Sequence, residues 1–182
     1  MRFTPTHLAE VMLVEPRVFA DARGFFMETW HAKKFADGGI AADFVQDNHS
    51  VSSQWVLRGL HYQLRHTQGK LVRVTQGEAF DVAVDMRKSS PTFGQWVGEY
   101  LSATNHRMMW VPPGFAHGFL VLSERVEFLY KCTDFYDPGS ERTVLWNDPE
   151  VGIEWPLPDG VTPIVSDKDR VGARLAEAEY LP

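Results

Sequence analysis

Short runs rich in Val, Phe, Leu and Tyr recur along most of the chain, and residues that favour turns separate them. The runs are Val11–Pro16, Val56–Tyr62, Lys70–Thr75, Ala79–Met86, Trp96–Leu101, Met108–Val111, Gly118–Leu122 and Glu127–Lys131. Between them, Gly77-Glu78, Lys88-Ser89-Ser90-Pro91 and Asp137-Pro138-Gly139-Ser140 carry turn chemistry. Glycine supplies positive φ, proline presets φ, and Asp and Ser bond back to nearby backbone. Short strands at this spacing, with little helix between them, predict an all-β sandwich or barrel. Helices are expected only from about Trp30 to Asp37, stopped by Gly38-Gly39, and near Val171–Glu179. The proline-rich stretch Trp155–Pro163 reads as irregular wrapping rather than a linker, and no internal repeat is present.

Composition narrows the function classes. A chain of 182 residues, 44% hydrophobic and 23% charged, is expected to form one domain over residues 1–182 with a sizeable core. Its single cysteine, Cys132, excludes an internal disulfide framework and a multi-cysteine metal site. The formal net charge of −6 argues against nucleic acid as a partner, because phosphate backbones select basic surfaces. Met1–Leu13 lacks the apolar run of a signal peptide, and no stretch reaches the roughly 18 apolar residues of a membrane span. A soluble cytoplasmic protein without a membrane partner is the expectation. Six Trp and twelve Phe suit a packed β core or a stacking wall for a planar ligand.

The most informative segment is Pro112-Pro113-Gly114-Phe115-Ala116-His117-Gly118-Phe119. Its P-x-G-x-x-H pattern resembles the second cupin motif, in which the histidine points into a small β-barrel. Metal-binding cupins add H-x-H on an earlier strand, where this chain reads His61-Tyr62-Gln63. Zinc and iron sites need three or four strong ligands, so the replacement of the second histidine by Gln63 predicts a metal-free barrel. Side chains alternate along a strand, so His61 shares a face with Gln63, and Lys70 shares one with Val72 and Val74. Arg58 lies an odd number of residues from His61, so both can face one cavity only if the strand bulges, for which Gly59 is the natural place. Taken alone, Arg58 or Lys70 reads as an ordinary surface charge.

Further stretches complete the pattern: Asp21-Ala22-Arg23-Gly24-Phe25-Phe26-Met27-Glu28, Val45-Gln46-Asp47-Asn48-His49-Ser50, Leu57-Arg58-Gly59-Leu60-His61-Tyr62-Gln63 and Gln68-Gly69-Lys70-Leu71-Val72-Arg73. Phe80–Asp85, Ser90–Gly94, Glu127–Lys131, Trp146–Pro149 and Ile153–Pro156 follow in order. Together they resemble the dTDP-4-dehydrorhamnose 3,5-epimerase family over nearly the whole chain. The resemblance implies a cupin-type β-barrel (jelly roll) with a few short flanking helices. It implies inversion of C3 and C5 in a dTDP-linked 4-keto-6-deoxy sugar, a step of dTDP-rhamnose biosynthesis, with no cofactor. His61 matches the family's general base and Tyr130 its acid. Lys70 falls near the sugar's C4 oxygen. The partner carboxylate of the base falls in Ser166-Asp167-Lys168-Asp169, where Asp169 matches the motif and Asp167 is a second candidate.

The chemistry asks for these residue types. A C–H beside a ketone is acidic because its anion spreads onto the oxygen, so a cation there lowers the barrier. Histidine, with a pKa of about 6.5, can take a proton at neutral pH, and tyrosine, near 10, keeps one to return. The resemblance further assigns Arg23, Glu28, Gln46, Asp47, Asn48 and Arg58 to nucleotide or sugar contacts, and Tyr136 to stacking on thymine. His117, Glu141 and Lys168 match additional substrate contacts. His7, His31, His66 and His106 match no functional position and are expected at the surface. The family's homodimer exchanges N-terminal strands, which would carry Arg23 and Glu28 to the partner's substrate. Other readings differ in class: a mono-epimerase on a related nucleotide-linked keto sugar, a keto-sugar isomerase, or a non-catalytic sugar-binding cupin.

Overall fold

A computed structural model describes all residues, 1–182. The strands are β1 (Arg2–Pro5), β2 (Met12–Glu15), β3 (Val18–Asp21), β4 (Gly24–Met27), β5 (Gln46–Ser53), β6 (Leu57–Gln63) and β7 (Lys70–Gln76). They continue as β8 (Glu78–Asp85), β9 (Trp96–Ser102), β10 (Met108–Val111), β11 (Phe115–Val121), β12 (Arg125–Cys132) and β13 (Glu141–Thr143). Six strands form one sheet in the order β1-β2-β10-β7-β12-β5, and five form another in the order β13-β6-β11-β8-β9. Hairpin β3–β4 stands apart as a two-stranded ribbon. The larger sheets stack as a jelly-roll sandwich, and their edges do not join into a closed barrel.

Alternation explains the layers. Val72 and Val74 of β7, Ala79 and Ala83 of β8, Phe119 of β11 and Phe128 of β12 point between the sheets and form the central core. Phe119 and Phe128 stack across it with ring centroids 4.0 Å apart, a contact worth about 0.5–1.5 kcal/mol beyond its buried area. The opposite faces are covered too. Leu60 and Tyr62 of β6, Val82 and Val84 of β8 and Leu120 of β11 pack under the C-terminal segment through Val151, Leu175, Ala178 and Leu181. Phe35 and Ile40 cover the outer face of the six-stranded sheet against Val14, Leu71, Met108 and Trp110.

Helix α1 (Ala32–Asp37) lies within the expected Trp30–Asp37 span, with the His31 side chain accepting the Lys34 N–H as a cap and Gly38 closing the last turn. The helix expected near Val171–Glu179 does not form. Instead α2 (Asp167–Arg170) lies upstream, and a single 3-10 turn spans Leu175–Glu177. The reason is tertiary. Val144↔Ala173 and Arg87↔Leu181 make isolated β-bridges that draw this segment out along the sheet. Trp155 and Leu157 pack onto the same core, so the proline-rich stretch does wrap the sandwich. No helix is long and apolar enough to cross a membrane.

Candidate active site

Between the sheets, beyond the apolar core, lies a cavity of about 470 Å³. Arg58, His61 and His117 face it from β6 and β11, and Lys70 and Tyr130 face it from β7 and β12 of the opposite sheet. Ile164, Ser166, Lys168 and Asp169, on and before α2, line it from the C-terminal segment. Strand alternation places Lys70 in line with core residues Val72 and Val74, and Tyr130 in line with Phe128.

Arg58 and His61 reach the same cavity because the β6–β11 ladder shifts register between them: His117 pairs with His61, but Phe119 pairs with Arg58. Gly59 makes the shift with φ of 118°. A Cβ there would lie 2.6 Å from Gly118 Cα, so glycine is required on both counts.

His61 Nε2 lies 2.6 Å from Asp169 Oδ1. The His61 side chain stays 31% exposed, while that of Asp169 is 4% exposed. Asp169 Oδ2 also accepts the Gly59 N–H at 3.4 Å, and Ser166 caps α2 by accepting the Asp169 N–H at 3.1 Å. Burial pushes the Asp169 carboxyl up, but His61, the Gly59 N–H and Ser166 together hold it below the usual aspartate range. Asp167, the other carboxylate of the motif, points to solvent with its side chain 98% exposed and pairs with Arg170.

Across the cavity, burial drives the Lys70 ammonium below its ordinary pKa, against the pull of Cys132 and Glu141. Burial raises the Tyr130 phenol, so it holds its proton more firmly than in water. His117 Nε2 lies 2.8 Å from Asp81 Oδ1. Asp81 is fully buried and its Oδ2 has no hydrogen-bond partner. Sequence reading assigned Asp81 no role, although a carboxylate on the inward face of an apolar strand, Phe80-Asp81-Val82-Ala83-Val84, is itself a signal.

Around this centre, Glu141 Oε2 accepts the Tyr136 hydroxyl at 2.8 Å and lies 2.5 Å from Lys168 Nζ. Burial raises the Glu141 carboxyl, but Lys168 and Tyr136 outweigh it and lower its pKa. Arg58 Nε donates to Ser52 Oγ at 3.0 Å. On β5, Gln46 donates to Asn48, Asn48 approaches Cys132 Sγ, and Asp47 pairs with Lys131 of the neighbouring strand β12. Asp47 and Asn48 open onto a second depression that shares Tyr130 as a wall. Arg23 and Glu28 stand outside the cavity, on and just after hairpin β3–β4, paired with Asp21 and Lys34. His7, His31 and His66 are exposed, and His106 is half-buried against Phe25. No three His, Cys, Asp or Glu side chains are grouped to hold a metal ion.

A family model described as dTDP-4-dehydrorhamnose 3,5-epimerase matches residues 5–177. The dTDP-4-dehydrorhamnose 3,5-epimerase of Pseudomonas aeruginosa is 59% identical over 183 residues, spanning 100% of both chains. The chain belongs to the dTDP-4-dehydrorhamnose 3,5-epimerase family. Within that family the fold is cupin-like. The dTDP-6-deoxy-D-glucose-3,5-epimerase of Legionella pneumophila, crystallised with dTDP-4-keto-L-rhamnose, superposes with a TM-score of 0.92 at 51% identity, covering 96% of this chain and 93% of that one. A 3'-monoepimerase from Streptomyces bikiniensis, crystallised with dTDP-quinovose, gives a TM-score of 0.88 at 32% identity, covering 96% and 88%.

Proposed function

We propose that this protein inverts C3 and C5 of dTDP-4-dehydro-6-deoxy-D-glucose to give dTDP-4-dehydro-L-rhamnose, acting as one domain over residues 1–182. The observation that carries this reading is that His61 and Tyr130 enter one cavity from opposite sheets. Inversion needs a base on one face of a carbon and an acid on the other, and that is what two facing sheets provide.

His61 takes the proton from the carbon beside the ketone, while Asp169 fixes the ring's tautomer and stabilises the imidazolium that forms. Electron density moves onto the C4 oxygen, where Lys70 stabilises the enolate. Its depressed pKa also readies it to share a proton with that oxygen. Tyr130 then delivers a proton from the other face. C3 and C5 flank the same ketone, so one pair of groups serves both after the sugar turns, once His61 has passed its proton to water and Tyr130 has drawn one back. Every step moves protons only, so no oxidant enters the balance.

Tyr136, half exposed beside Glu141, offers a ring face to the thymine. Arg58 and Lys168 offer charge to the diphosphate and sugar. A homodimer completes the proposal. Hairpin β3–β4 exposes Phe19, Phe25 and Phe26 at 49%, 58% and 66%, apolar surface of the kind a partner sheet covers. Docked there, Arg23 and Glu28 would act in the partner's site.

Incubation with dTDP-4-keto-6-deoxyglucose in D2O, followed by NMR, tests the reading. Deuterium at C3 and C5 with formation of the L-configured keto sugar is expected. Deuterium at one carbon would move the assignment to a mono-epimerase, and no exchange would end it.

A further inference from the structure

The turn that carries Tyr136 has no strand partner. Thr133 donates its N–H to Gly69 O at the end of the β12 ladder, and between Asp134 O and the Asp137 N–H the bonded backbone groups are met by side chains. Gln68 Nε2 donates to Asp134 O at 2.9 Å, and the Tyr136 N–H donates to Gln46 Oε1 at 3.0 Å. Gln63 makes the fullest set. Its Nε2 donates to Phe135 O at 3.2 Å and to His66 O at 2.7 Å. Its Oε1 accepts the Asp137 N–H at 3.0 Å. Gln63 is also the ladder partner of Glu141, which holds the Tyr136 hydroxyl. Gln63, 4% exposed on β6, thereby holds the backbone on both sides of Tyr136 and pairs in the sheet with the residue that holds its hydroxyl.

We propose that Gln63 is a positioning residue for nucleotide recognition: it fixes the turn 134–137 that presents Tyr136, and does not touch the substrate. This rests on the reading of Tyr136 as the thymine-stacking residue. The residue type is demanded by the geometry. A primary amide offers two donors and an acceptor in one plane. A carboxylate offers acceptors alone, a lysine donors alone, and a neutral imidazole only one N–H for two carbonyls. A buried group with unmet partners displaces the turn rather than leaving them unpaired.

Gln63→Glu keeps the shape and removes both donors. Calorimetric titration with dTDP is expected to show a Kd about 10- to 100-fold higher, the range set by loss of one stacked base, with kcat at saturating sugar nucleotide within about threefold. Amide hydrogen exchange at Tyr136 and Asp137 should quicken while β7 and β8 stay protected. In a Tyr136→Ala background the same change should move Kd less than about threefold, since its effect passes through Tyr136. Additive losses, or a lower kcat with unchanged KM, would overturn the inference. If Gln63→Glu does not fold, Gln63→Met is read by the same criteria. Wild-type protein that binds no dTDP would refute the nucleotide reading of the site, and exchange at residues 136 and 137 would still decide whether Gln63 fixes the turn.

Discussion

His61–Asp169 and His117–Asp81 sit beside one cavity with their histidines register partners on β6 and β11, yet their carboxylates live in different surroundings. Asp169 accepts both His61 and the Gly59 N–H, and its pKa is lowered. Asp81 lies wholly inside, with one oxygen unpartnered and its pKa raised by burial against the pull of His117. A carboxylate that must steady a histidine through a charge cycle has to remain an anion, which suits Asp169. Asp81 suits an imidazole that is held in place. The same residue types, one strand apart, thus serve different purposes because both oxygens of Asp169 find partners beside a partly exposed histidine, while Asp81 has one partner, a buried histidine, inside the core.

The largest effect expected is for His61→Ala, which should lower turnover about 10³-fold or more while dTDP-sugar binding stays within a few-fold by calorimetry. Retained turnover would remove His61 from the mechanism. Asp169→Asn should cost about 10²- to 10³-fold in kcat by leaving the wrong tautomer. Tyr130→Phe should reduce net epimerisation about 10²-fold and proton exchange at the same carbon clearly less. Equal losses would argue against Tyr130 as the acid. Asp81→Asn should cost less than about 10-fold in turnover and shift stability by no more than about 1 kcal/mol in urea melts. If it costs as much as Asp169→Asn, the two pairs are equivalent and the distinction fails.

Stability against pH sharpens the contrast. Asp169 has a folded pKa below its ordinary 3.8, so the stability it contributes is present above that value and is lost as pH falls through the lowered one. Asp81 has a raised folded pKa, so its contribution is present below 3.8 and is lost as pH rises through the raised value. Urea midpoints from about pH 3 to 7 should show the acid limb weakened in Asp169→Asn. Asp81→Asn should gain relative to wild type toward neutrality. Parallel profiles for the two variants would contradict these directions.

Legibility in the sequence followed local pattern. Met108–Val111 forms a strand over the expected span, and the inward face of β7 follows from alternation. The bulge needed to bring Arg58 and His61 together was readable from their odd spacing and Gly59. Strand β5 was not readable, because Gln46–Ser53 is polar and becomes a strand only by pairing along the whole of β12. The start of β11 was hidden for a related reason: Phe115–His117 follows Pro-Pro-Gly, and its strand state comes from pairing with β8. The C-terminal helix was misread because short β-bridges to Val144 and Arg87 overrode its local preference.

By itself the sequence determined which residues of a strand share a face, His61 with Gln63 and Lys70 with Val72 and Val74, and marked Gly59 as the place for a bulge, while the roles of His61, Lys70 and Tyr130 came from the family resemblance. It left open whether Asp167 or Asp169 meets His61. Only the tertiary structure decided that, since the contact spans 108 residues and depends on how the C-terminal segment wraps the five-stranded sheet. The wrap sets α2 against β6 with one carboxylate turned in and the other out. The same packing buried Asp81 behind His117 and hung the Tyr136 turn on Gln63. Periodicity reports which face a side chain takes, because that is a property of neighbouring residues. Which distant group it meets there is set by the packing of whole layers.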